Sequence, residues 1–527
     1  MVFSSLEYFV FFFVVCLLFG ASEKLIHKDS VRQALLLLAS LFFYAWAGVE
    51  FLPFIAFSVL TTWAASLLIE RLSLKADSGG KTALAAIAVL ANLALLFVFK
   101  YLNFASDIVA SLLGAAGITV KARHFSLILP LGISFYVFQS ISYVIDVYRG
   151  TAKAERSLLC YALYVCFFPQ LLQGPIERAG DLIVQFKRPC PFDYARVASG
   201  LKLFAFGLFK KACVADKLAV YVNYVWARTD TSSGSSLLLA TFFYAMQLYA
   251  DFSGYVDMAA GAARILGFDL SANFDHPYFS RTVAEFWRRW HITLGSWFRD
   301  YLFYPLLRKL NGSLGKGLKR RVGKGAAKNV PTVLALAVVW FSTGLWHGAN
   351  LTFIAWGVWH GFFIILETLA AKKCSSLKAT LHIAGDEAWF KAFQTLRTFV
   401  IVCAGYVFFR SANMADALTV FGKFTHIASE LTEELPRLVG QVGGVDALRD
   451  FFMVKGEIFG GFKGMLVAFC LTLVLFAEES LTWHKSGFAY INALPFVARW
   501  IFYWTVTFTI VYFLSESDSA NFLYFEF

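Results

Sequence analysis

Charged side chains are scarce in this sequence. Only 16% of its 527 residues are Asp, Glu, Lys or Arg, and 59% are hydrophobic. A typical soluble domain has about 25% charged residues and roughly 45–50% apolar residues. The mean hydropathy of the chain is +0.63. This composition excludes an ordinary soluble globular protein and indicates a chain that lies mostly in lipid.

The sequence also lacks the common motifs of soluble enzymes. It contains no Walker A motif, no Gly-x-Gly-x-x-Gly, no His-Glu-x-x-His and no Gly-x-Ser-x-Gly. Nucleotide hydrolysis, dinucleotide redox chemistry and serine-triad hydrolysis therefore lack their usual parts. The eight cysteines include no Cys-x-x-Cys pair and are interpreted as reduced packing residues, and no metal site is predicted. The N-terminus has no basic region or small-residue cleavage site, so a removable signal peptide is not expected.

Long apolar runs recur along the whole length, for example at 9–19, 34–47, 83–99 and 330–345. A helix needs about 20 apolar residues to cross a bilayer. The runs predict an all-α, polytopic integral membrane protein with about eleven transmembrane helices, plus re-entrant or interfacial helices. Because no stretch separates as a soluble module, a single membrane domain is predicted over residues 1–527.

The basic residues lie between the apolar runs. Lys and Arg total 47 and Asp and Glu total 35, a net charge of +12. Their scatter excludes a nucleic-acid-binding surface and fits the positive-inside rule. The segment 301–331 has eight basic residues and no acidic one, so it is predicted to be a cytoplasmic loop. Whether this loop contacts anionic lipid or docks a partner stays open. The insert 412–462 leans acidic and is predicted to be extracytoplasmic.

Polar residues concentrate between Glu285 and Leu306, where three arginines, two acids and a histidine lie among aromatic residues. A lipid-facing span would not carry these charges, so the segment should lie at the interface or face a protein-lined cavity. Ser280–Glu285 is typical of a capped helix start. A continuous helix from there would place Trp287, Trp290, Leu294, Trp297 and Tyr301 on one face, and Arg288, His291, Gly295 and Arg299 on a neighbouring face.

His291 is a candidate functional residue of this segment. Gly295 lies one helical turn further on, which would leave room for a ligand beside the imidazole. Arg288 and Arg299 flank the histidine, and guanidinium groups suit phosphate or carboxylate recognition. The alternative is an interfacial helix whose arginines reach lipid headgroups and whose tryptophans form a belt at the membrane surface. The pattern alone leaves both interpretations open.

His347 is the second candidate, in Leu345–Asn350 at the end of an apolar run. An ionisable residue within a span is costly to bury and is therefore a functional hypothesis by default. Neutral imidazole, with an ordinary pKa of about 6.5, can accept a proton as a general base. Gly348 and Ala349 are expected to leave space beside the ring for a substrate hydroxyl. The alternative is a histidine hydrogen-bonded to a carbonyl, and His360 on the next span is interpreted as a packing residue.

Two carboxylates, Asp251 and Asp257, lie in the otherwise apolar stretch Tyr249–Met258. Buried carboxylates at these positions could orient the histidines or pair with Arg288 or Arg299. Ion pairing is the favoured interpretation, because a buried charge needs a partner.

Seven motifs, in order along most of the chain, resemble the membrane-bound O-acyltransferase family and within it the bacterial, AlgI-like branch of alginate O-acetyltransferases. They are Met1–Ser5, Phe168–Pro175, Asp251–Tyr255, Glu285–His291, Trp297–Tyr301, Leu345–Ala349 and Trp356–Gly361. The terminal Phe522–Phe527 also resembles the closing motif of that branch. Pro305 is followed by Leu-Leu-Arg-Lys where relatives tend to have Leu-Gly-Gly, and Gly295 stands where serine is common. These departures leave the particular substrate open.

The resemblance implies a ring of tilted helices around a thin centre, where a cytoplasmic donor tunnel meets an external acceptor funnel. The family's two signature histidines fall on His291 and His347. The resemblance implies acyl transfer, expected to be of acetyl, from a cytoplasmic thioester toward a hydroxyl of an exported or cell-surface polysaccharide. His347 is expected to act as the general base, and His291 to orient or stabilise the donor carbonyl.

The expected donor- or substrate-binding residues are Arg288, Arg299, Trp290, Asp251, Tyr255, Trp346 and Asn350. No cofactor is expected to stay bound, and the expected donor is acetyl-CoA or another acyl thioester. The protein is expected in the lipid bilayer of the bacterial cytoplasmic membrane. A separate extracytoplasmic acetyltransferase protein is the expected partner, and no nucleic acid is expected.

Two alternatives to this function stay open. One is D-alanyl transfer to teichoic acid from a carrier-protein donor. The other is a polysaccharide or acyl-group transporter or channel without catalysis, which inverted repeats would favour; the sequence contains no convincing repeat.

Overall fold

The computed structural model describes residues 1–26, 28–380, 387–430, 432, 455, 457–459, 461–482 and 487–516. Across these residues the secondary structure is helical and contains no strand. The backbone of Phe274 and Trp290 forms one isolated antiparallel bridge within the same ranges. The predicted all-α class is therefore confirmed. The terminal motif Phe522–Phe527 lies outside the described residues.

The α-helices follow one another in chain order. They are α1 (Leu6–Leu25), α2 (Asp29–Ala45), α3 (Leu52–Leu74), α4 (Ser78–Lys100), α5 (Leu102–Ala115), α6 (Ile133–Arg149), α7 (Leu158–Cys166), α8 (Ala179–Phe186), α9 (Tyr194–Phe209), α10 (Asp216–Trp226), α11 (Gly234–Ile265), α12 (Val283–Arg289), α13 (Ile292–Phe298), α14 (Tyr304–Ser313), α15 (Gly315–Arg321), α16 (Lys324–His347), α17 (Leu351–Thr380), α18 (Ala388–Arg410), α19 (Met414–Phe424), α20 (Phe462–Thr482), α21 (Gly487–Ala493) and α22 (Phe496–Glu516). Two π-helical segments, Lys210–Ala215 and Arg299–Phe303, interrupt them.

Eight helices in the described part of the chain are long and apolar enough to cross a membrane. They are Leu6–Leu25, Val49–Leu74, Ser78–Lys100, Ala327–His347, Leu351–Ser376, Ala388–Arg410, Phe462–Leu481 and Phe496–Ser515. The protein is therefore a multi-pass membrane protein, as predicted. The predicted number of eleven crossings is not confirmed, because several buried helices are shorter or more polar than a simple span.

The chain folds into two compact units. The first comprises Met1–Ala205, Tyr255–Asn273 and Ser296–Leu302, and the second comprises Phe206–Gly254, Phe274–Gly295 and Phe303–Phe527. A single membrane domain over residues 1–527 stays a prediction.

Polar side chains join the helices of the first unit. Ser58 Oγ of α3 lies 2.6 Å from Asn92 Oδ1 of α4 and 3.1 Å from Ser140 Oγ of α6. All three side chains are fully buried. Because lipid tails drive no hydrophobic association between helices, packing and interhelical hydrogen bonds of this kind hold membrane helices together.

In the second unit, α16 and α17 form a hairpin whose backbones approach closely at glycines. A Cβ atom at Gly357 would lie 2.4 Å from the Trp340 carbonyl oxygen and 3.0 Å from the Gly344 Cα atom. A Cβ atom at Gly344 would lie 2.5 Å from the Phe353 carbonyl oxygen. Small residues at a membrane-helix interface permit such an approach. The hairpin holds His347 at the end of α16 and His360 on the facing surface of α17.

The predicted basic loop 301–331 is largely helical, because it contains α14, α15 and the beginning of α16. Its cytoplasmic location stays a prediction.

The insert 412–462 is described only in part, from 412 to 430 and at a few later residues. Within the described portion, the Glu430 carboxylate accepts hydrogen bonds from the N–H groups of Gly234 (2.8 Å) and Ser235 (3.0 Å) at the start of α11. Partial burial alone would raise the pKa of Glu430, but the hydrogen bonds from Gly234 and Ser235 together with the Lys455 charge outweigh it, and the pKa is lowered. The extracytoplasmic location of the insert stays a prediction.

The glycine contact between α16 and α17 can be tested by Gly357→Ala. The added methyl meets backbone atoms that cannot rotate away, so the helices must separate, at a cost of about 1–3 kcal/mol. We expect a lower thermal unfolding midpoint for the purified protein. Gly422→Ala in α19 is the matched control, because no atom lies within 4 Å of its added Cβ. Equal midpoints for the two variants would contradict the proposed packing.

Candidate active site

The start of α12 is capped from two sides. Thr282 Oγ1 accepts a hydrogen bond from the Glu285 N–H at 3.0 Å, which confirms the helix start predicted there. The Glu367 carboxylate of α17 accepts hydrogen bonds from the N–H groups of Val283 (2.8 Å) and Ala284 (3.0 Å). These groups would otherwise be unpaired at a helix N-terminus. The carboxylate therefore attaches α12 to α17.

The continuous helix predicted through 285–301 is wrong. α12 ends at Arg289, Trp290 is extended (φ −104°, ψ 128°), and His291 adopts the left-handed conformation with φ +47°. α13 begins at the next residue, so Trp287 does not lie on the same helix as Trp297 and Tyr301. The Asp275 N–H donates to the Arg289 carbonyl at 2.9 Å, beside the Phe274–Trp290 bridge. The backbone at the break therefore pairs with the segment that contains Phe274 and Asp275.

The Trp290 side chain is packed among aromatic residues at this break. Its side chain is 3% exposed. Its indole packs at ring-centroid distances of 5.1–6.2 Å against Tyr249, Phe274, Tyr278, Phe286 and Tyr406. A left-handed backbone at a non-glycine residue costs about 1–3 kcal/mol, so it persists only where the surrounding structure holds it in place. Such residues occur often at functional sites. The aromatic packing of Trp290 supplies that constraint for His291.

His291 is buried, with 2% of its surface exposed. Its ring makes an edge contact with Phe252 at 4.8 Å between centroids. Burial lowers the pKa of His291 to about 3, so the imidazole is neutral at physiological pH. Gly295 donates its N–H to the His291 carbonyl at 3.0 Å and is itself exposed. A Cβ at Gly295 would meet only the Trp287 carbonyl oxygen at 3.5 Å, so there is room beside Gly295.

His347 ends α16 and is 5% exposed. Its ring lies 4.7 Å from Trp356 and 5.2 Å from Phe409 between centroids. The space expected beside Gly348 is filled, because a Cβ there would lie 2.2 Å from the Phe353 ring. The glycine accommodates Phe353, and the expectation that it leaves room for a substrate is wrong.

Asn350 fixes the turn after His347. Its Oδ1 accepts a hydrogen bond from the Thr352 N–H at 3.1 Å, near the start of α17. Its Nδ2 donates to the Ala412 carbonyl at 2.8 Å. The side chain predicted to bind a ligand therefore ties the α16–α17 turn to the segment that follows α18.

Trp346 brings the two histidines together. Its ring centroid lies 6.1 Å from that of His291 and 4.9 Å from that of His347. The two imidazole centroids are therefore at most 11.0 Å apart. Three predicted site residues, from two segments more than fifty positions apart in the sequence, thus form one buried cluster.

His360 lies beside this cluster and packs as predicted. It is fully buried, with its ring 5.0 Å from Trp287 and 5.2 Å from Trp356 between centroids. Within the described residues neither ring nitrogen of His360 forms a hydrogen bond. A Cβ at Gly405 of α18 would lie 2.5 Å from Nε2, so the ring closes against that helix.

Asp251 pairs with a lysine rather than with the arginines considered from the sequence. Lys211 Nζ lies 2.7 Å from Asp251 Oδ1 and 2.9 Å from Asp216 Oδ1. The side chains of Lys211 and Asp251 are each 1% exposed. Sequence reasoning missed Lys211, although the doublet Lys210–Lys211 within an apolar stretch was an available signal. The lysine lies in a π-helical segment, a distortion frequent at functional sites.

The remaining predicted site residues are distributed over both units. Arg288 is exposed and makes no hydrogen bond or ion pair with the described residues, whereas Arg289 pairs with Glu285 at 2.8 Å. Arg299 and Tyr255 belong to the first unit. Arg299 Nε bonds Asp300 Oδ1 at 3.0 Å, and Tyr255 stacks on Phe3 at 4.8 Å between centroids.

The buried ion cluster predicts a strong effect of Lys211→Met on stability. Removal of the cation leaves Asp251 and Asp216 buried beside each other, and breaking a buried pair in this way costs about 3–5 kcal/mol. We expect a large fall in the thermal unfolding midpoint of the purified protein. Lys217→Met in α10 is the control, because that side chain is partly exposed and makes no ion pair with the described residues. A Lys211→Met midpoint equal to that of the control would contradict the assignment.

Comparison with known proteins gives the same family that the motifs indicate. The model of the membrane-bound O-acyltransferase family matches residues 154–404, which include both histidines. The chain is 36% identical to the probable alginate O-acetylase AlgI of Pseudomonas putida, over 83% of each chain. It is 32% identical to the peptidoglycan O-acetyltransferase of Helicobacter pylori, over 76% of this chain and 77% of the relative.

A more distant relative has a different acyl group in its name. The chain is 25% identical to the teichoic acid D-alanyltransferase of Bacillus subtilis, over 77% of this chain and 97% of the relative. All of these relatives transfer acyl groups, and two of them are more than 30% identical over three quarters or more of both chains. The chain therefore belongs to the membrane-bound O-acyltransferase family and is an O-acyltransferase.

Proposed function

We propose that this enzyme moves an acetyl group from a cytoplasmic thioester toward hydroxyl groups of an exported or cell-surface polysaccharide. The names of two relatives above 30% identity support this substrate class, since alginate and peptidoglycan are both extracytoplasmic glycans. The observation that carries the proposal is the placement of His291 and His347 on the same indole, Trp346.

His347 acts as the general base in this proposal. Its imidazole accepts the proton of the attacking hydroxyl while the hydroxyl oxygen bonds to the thioester carbonyl carbon. The C–S bond then breaks, and the thiolate leaves and takes up a proton. A positioned base contributes roughly 10²–10⁴-fold in rate. Burial of His347 among Trp346, Trp356 and Phe409 supports the role, because the ring is held in one place and water is excluded from around it.

His291 polarises the donor carbonyl. A neutral imidazole carries one N–H group, which can donate a hydrogen bond to the oxygen that becomes negative as the carbonyl is attacked. The lowered pKa of His291 favours this neutral donor over a proton-transfer role. The aromatic packing of Trp290 holds the His291 backbone at φ +47°. The imidazole N–H group is therefore oriented before the substrate arrives.

The charge distribution supports the proposed direction of transfer. The basic segment 301–331 begins ten residues after His291, and the proposal places this segment in the cytoplasm. The donor, acetyl-CoA or another acyl thioester, then approaches from that side, and exposed Arg288 is available to its phosphates. In the cytoplasmic membrane of a bacterium, the acyl group would pass to a separate extracytoplasmic acetyltransferase protein.

D-alanyl transfer to teichoic acid is the second candidate. The relative of that name supports it, but at 25% identity compared with 36% and 32% for the two O-acetyl-transferring relatives. The two functions differ in the ester formed. Mild alkaline hydrolysis of envelope polymers releases acetate in the first case and D-alanine in the second.

His347→Ala should abolish transfer and leave the protein folded, because the variant loses the base but keeps the packing around Trp346. The measurement is acetate released from envelope glycan when the variant replaces the native protein in cells, together with the membrane content and thermal midpoint of the purified protein. His124→Ala is the control, because that imidazole is 62% exposed in the first unit. Normal acetylation by the His347 variant would refute the assignment.

The role of His291 predicts different effects for two substitutions. His291→Ala removes the N–H donor and should lower kcat by about 10²–10³, as loss of one oxyanion donor does. His291→Asn should retain more activity, because asparagine tolerates a left-handed backbone and has a side-chain N–H. The measurement is kcat of purified variants with a labelled thioester donor. If asparagine and alanine reduce kcat equally while both variants keep the wild-type thermal midpoint, the donor role is wrong.

A further inference from the structure

A buried acid lies near the end of the membrane span formed by α20. Glu479 is 7% exposed and belongs to the candidate span Phe462–Leu481. An ionisable residue inside a span is costly to bury, so it is a functional hypothesis by default. The site residues predicted from the sequence did not include Glu479. It also lies beyond residue 404, where the match to the family ends.

Glu479 is joined to α11 through Tyr249. The Tyr249 hydroxyl donates a hydrogen bond to Glu479 Oε1, and Tyr249 is 2% exposed. The Lys210 ammonium, which is also buried, lies 5.7 Å from the centroid of the same ring. A cation within about 6 Å of an aromatic centroid is attracted to the ring face. A buried carboxylate and a buried ammonium therefore both contact this tyrosine and restrict its position.

Tyr249 packs directly against Trp290, the residue before His291. The ring centroids of Tyr249 and Trp290 are 5.9 Å apart. The Tyr249 ring also makes edge contacts with Phe274 at 5.7 Å and Tyr278 at 5.4 Å, and these two rings pack on Trp290 in turn. Tyr249 therefore belongs to the aromatic group that holds the left-handed backbone of His291 in place.

A second residue of α11 reaches His291 itself. Phe252 follows Tyr249 by three positions, so the two side chains project from the same face of the helix. The centroid of the Phe252 ring lies 4.8 Å from that of His291. One turn of α11 thus contacts both the residue before the histidine and the histidine ring. A carboxylate that holds Tyr249 on this turn also holds the surroundings of His291.

We propose that Glu479 is a positioning residue for His291 and acts through Tyr249 and Trp290. The inference rests on the proposed function, in which His291 donates a hydrogen bond to the thioester carbonyl oxygen. The carboxylate holds the tyrosine, the tyrosine packs against the tryptophan, and the tryptophan constrains the backbone of the histidine. Helix α20 thereby contributes to the geometry of the site.

The first measurement is kcat and KM of purified Glu479→Leu with a labelled thioester donor. A displacement of about 1 Å can cost a factor of about 10² in rate, and loss of the acceptor should let the tyrosine move. Because His291 acts in the transition state, we expect kcat to fall roughly tenfold to a hundredfold with KM unchanged. Glu479→Gln should restore most of the lost activity, since its amide oxygen accepts the same hydrogen bond.

Tyr249→Phe tests the next link, because it removes the hydroxyl and keeps the ring. It should lower kcat by the same factor. The double variant Tyr249→Phe/Glu479→Leu should be no slower than either single variant, since residues that act as a unit are not additive. Thr472→Val is the matched control, because Thr472 is a buried polar residue of α20 whose Oγ1 donates to Ala468 of the same helix at 2.9 Å. This control should keep the wild-type kcat and KM.

The second measurement needs no acyl transfer. Diethyl pyrocarbonate modifies imidazole nitrogens, and peptide mass spectrometry gives the rate at each histidine. In the wild type, buried His291 should react slowly, and His124, whose side chain is 62% exposed, should react quickly. In Glu479→Leu and Tyr249→Phe the rate at His291 should rise roughly tenfold. The rates at His124 and at buried His360 should not change.

The two measurements separate this inference from the proposed function. A wild-type protein that transfers no acetyl group would refute the proposed function, and the modification rates would still decide the role of Glu479. Wild-type kcat and wild-type His291 rates in both Glu479→Leu and Tyr249→Phe would overturn the inference. An equal rise in rate at His291 and His360 would also overturn it, because the helices would then have loosened generally. If Glu479→Leu does not fold, Tyr249→Phe gives the same two readouts.

Discussion

The close backbone contact between α16 and α17 is the constraint on which the rest of the candidate site depends. Gly344 and Gly357 allow the two helices to touch, and no larger side chain fits at either position. The contact holds Trp346 and His347 at the end of one helix and Trp356 on the facing helix. The aromatic rings that surround His347 are therefore positioned by a contact in which neither histidine takes part.

A second constraint is the lack of water inside a membrane protein, which makes a buried polar group without a partner costly. Glu367 satisfies the first N–H groups of α12, and Lys211 satisfies Asp251 one residue before Phe252, which contacts His291. These buried charges do more than stabilise the fold. They also hold the backbone next to the candidate site, because Glu367 caps α12 before His291 and Asp251 precedes Phe252.

Much of the fold and part of the site could be predicted from the sequence. Continuous apolar runs predicted a helical membrane protein, and His291, His347 and Trp346 were selected as site residues that the structure then brought together. The break at Trp290 could not be predicted, because the residues around it have helical periodicity. The tertiary packing of Trp290 and its pairing with Phe274 override that local preference. The pairing of Asp251 with Lys211 was equally hidden, because forty positions separate the two residues in the sequence.

The sequence by itself determined what depends on local composition: the lipid environment, the helical class, the family, and the residues able to carry acid–base chemistry. Only the tertiary structure decided which of these residues meet. It placed both histidines against Trp346, filled the space at Gly348 with Phe353, and joined Glu479 to Tyr249. The physical reason is that hydropathy and helical periodicity act over a few turns of chain. Contacts between buried side chains depend on the packing of distant helices.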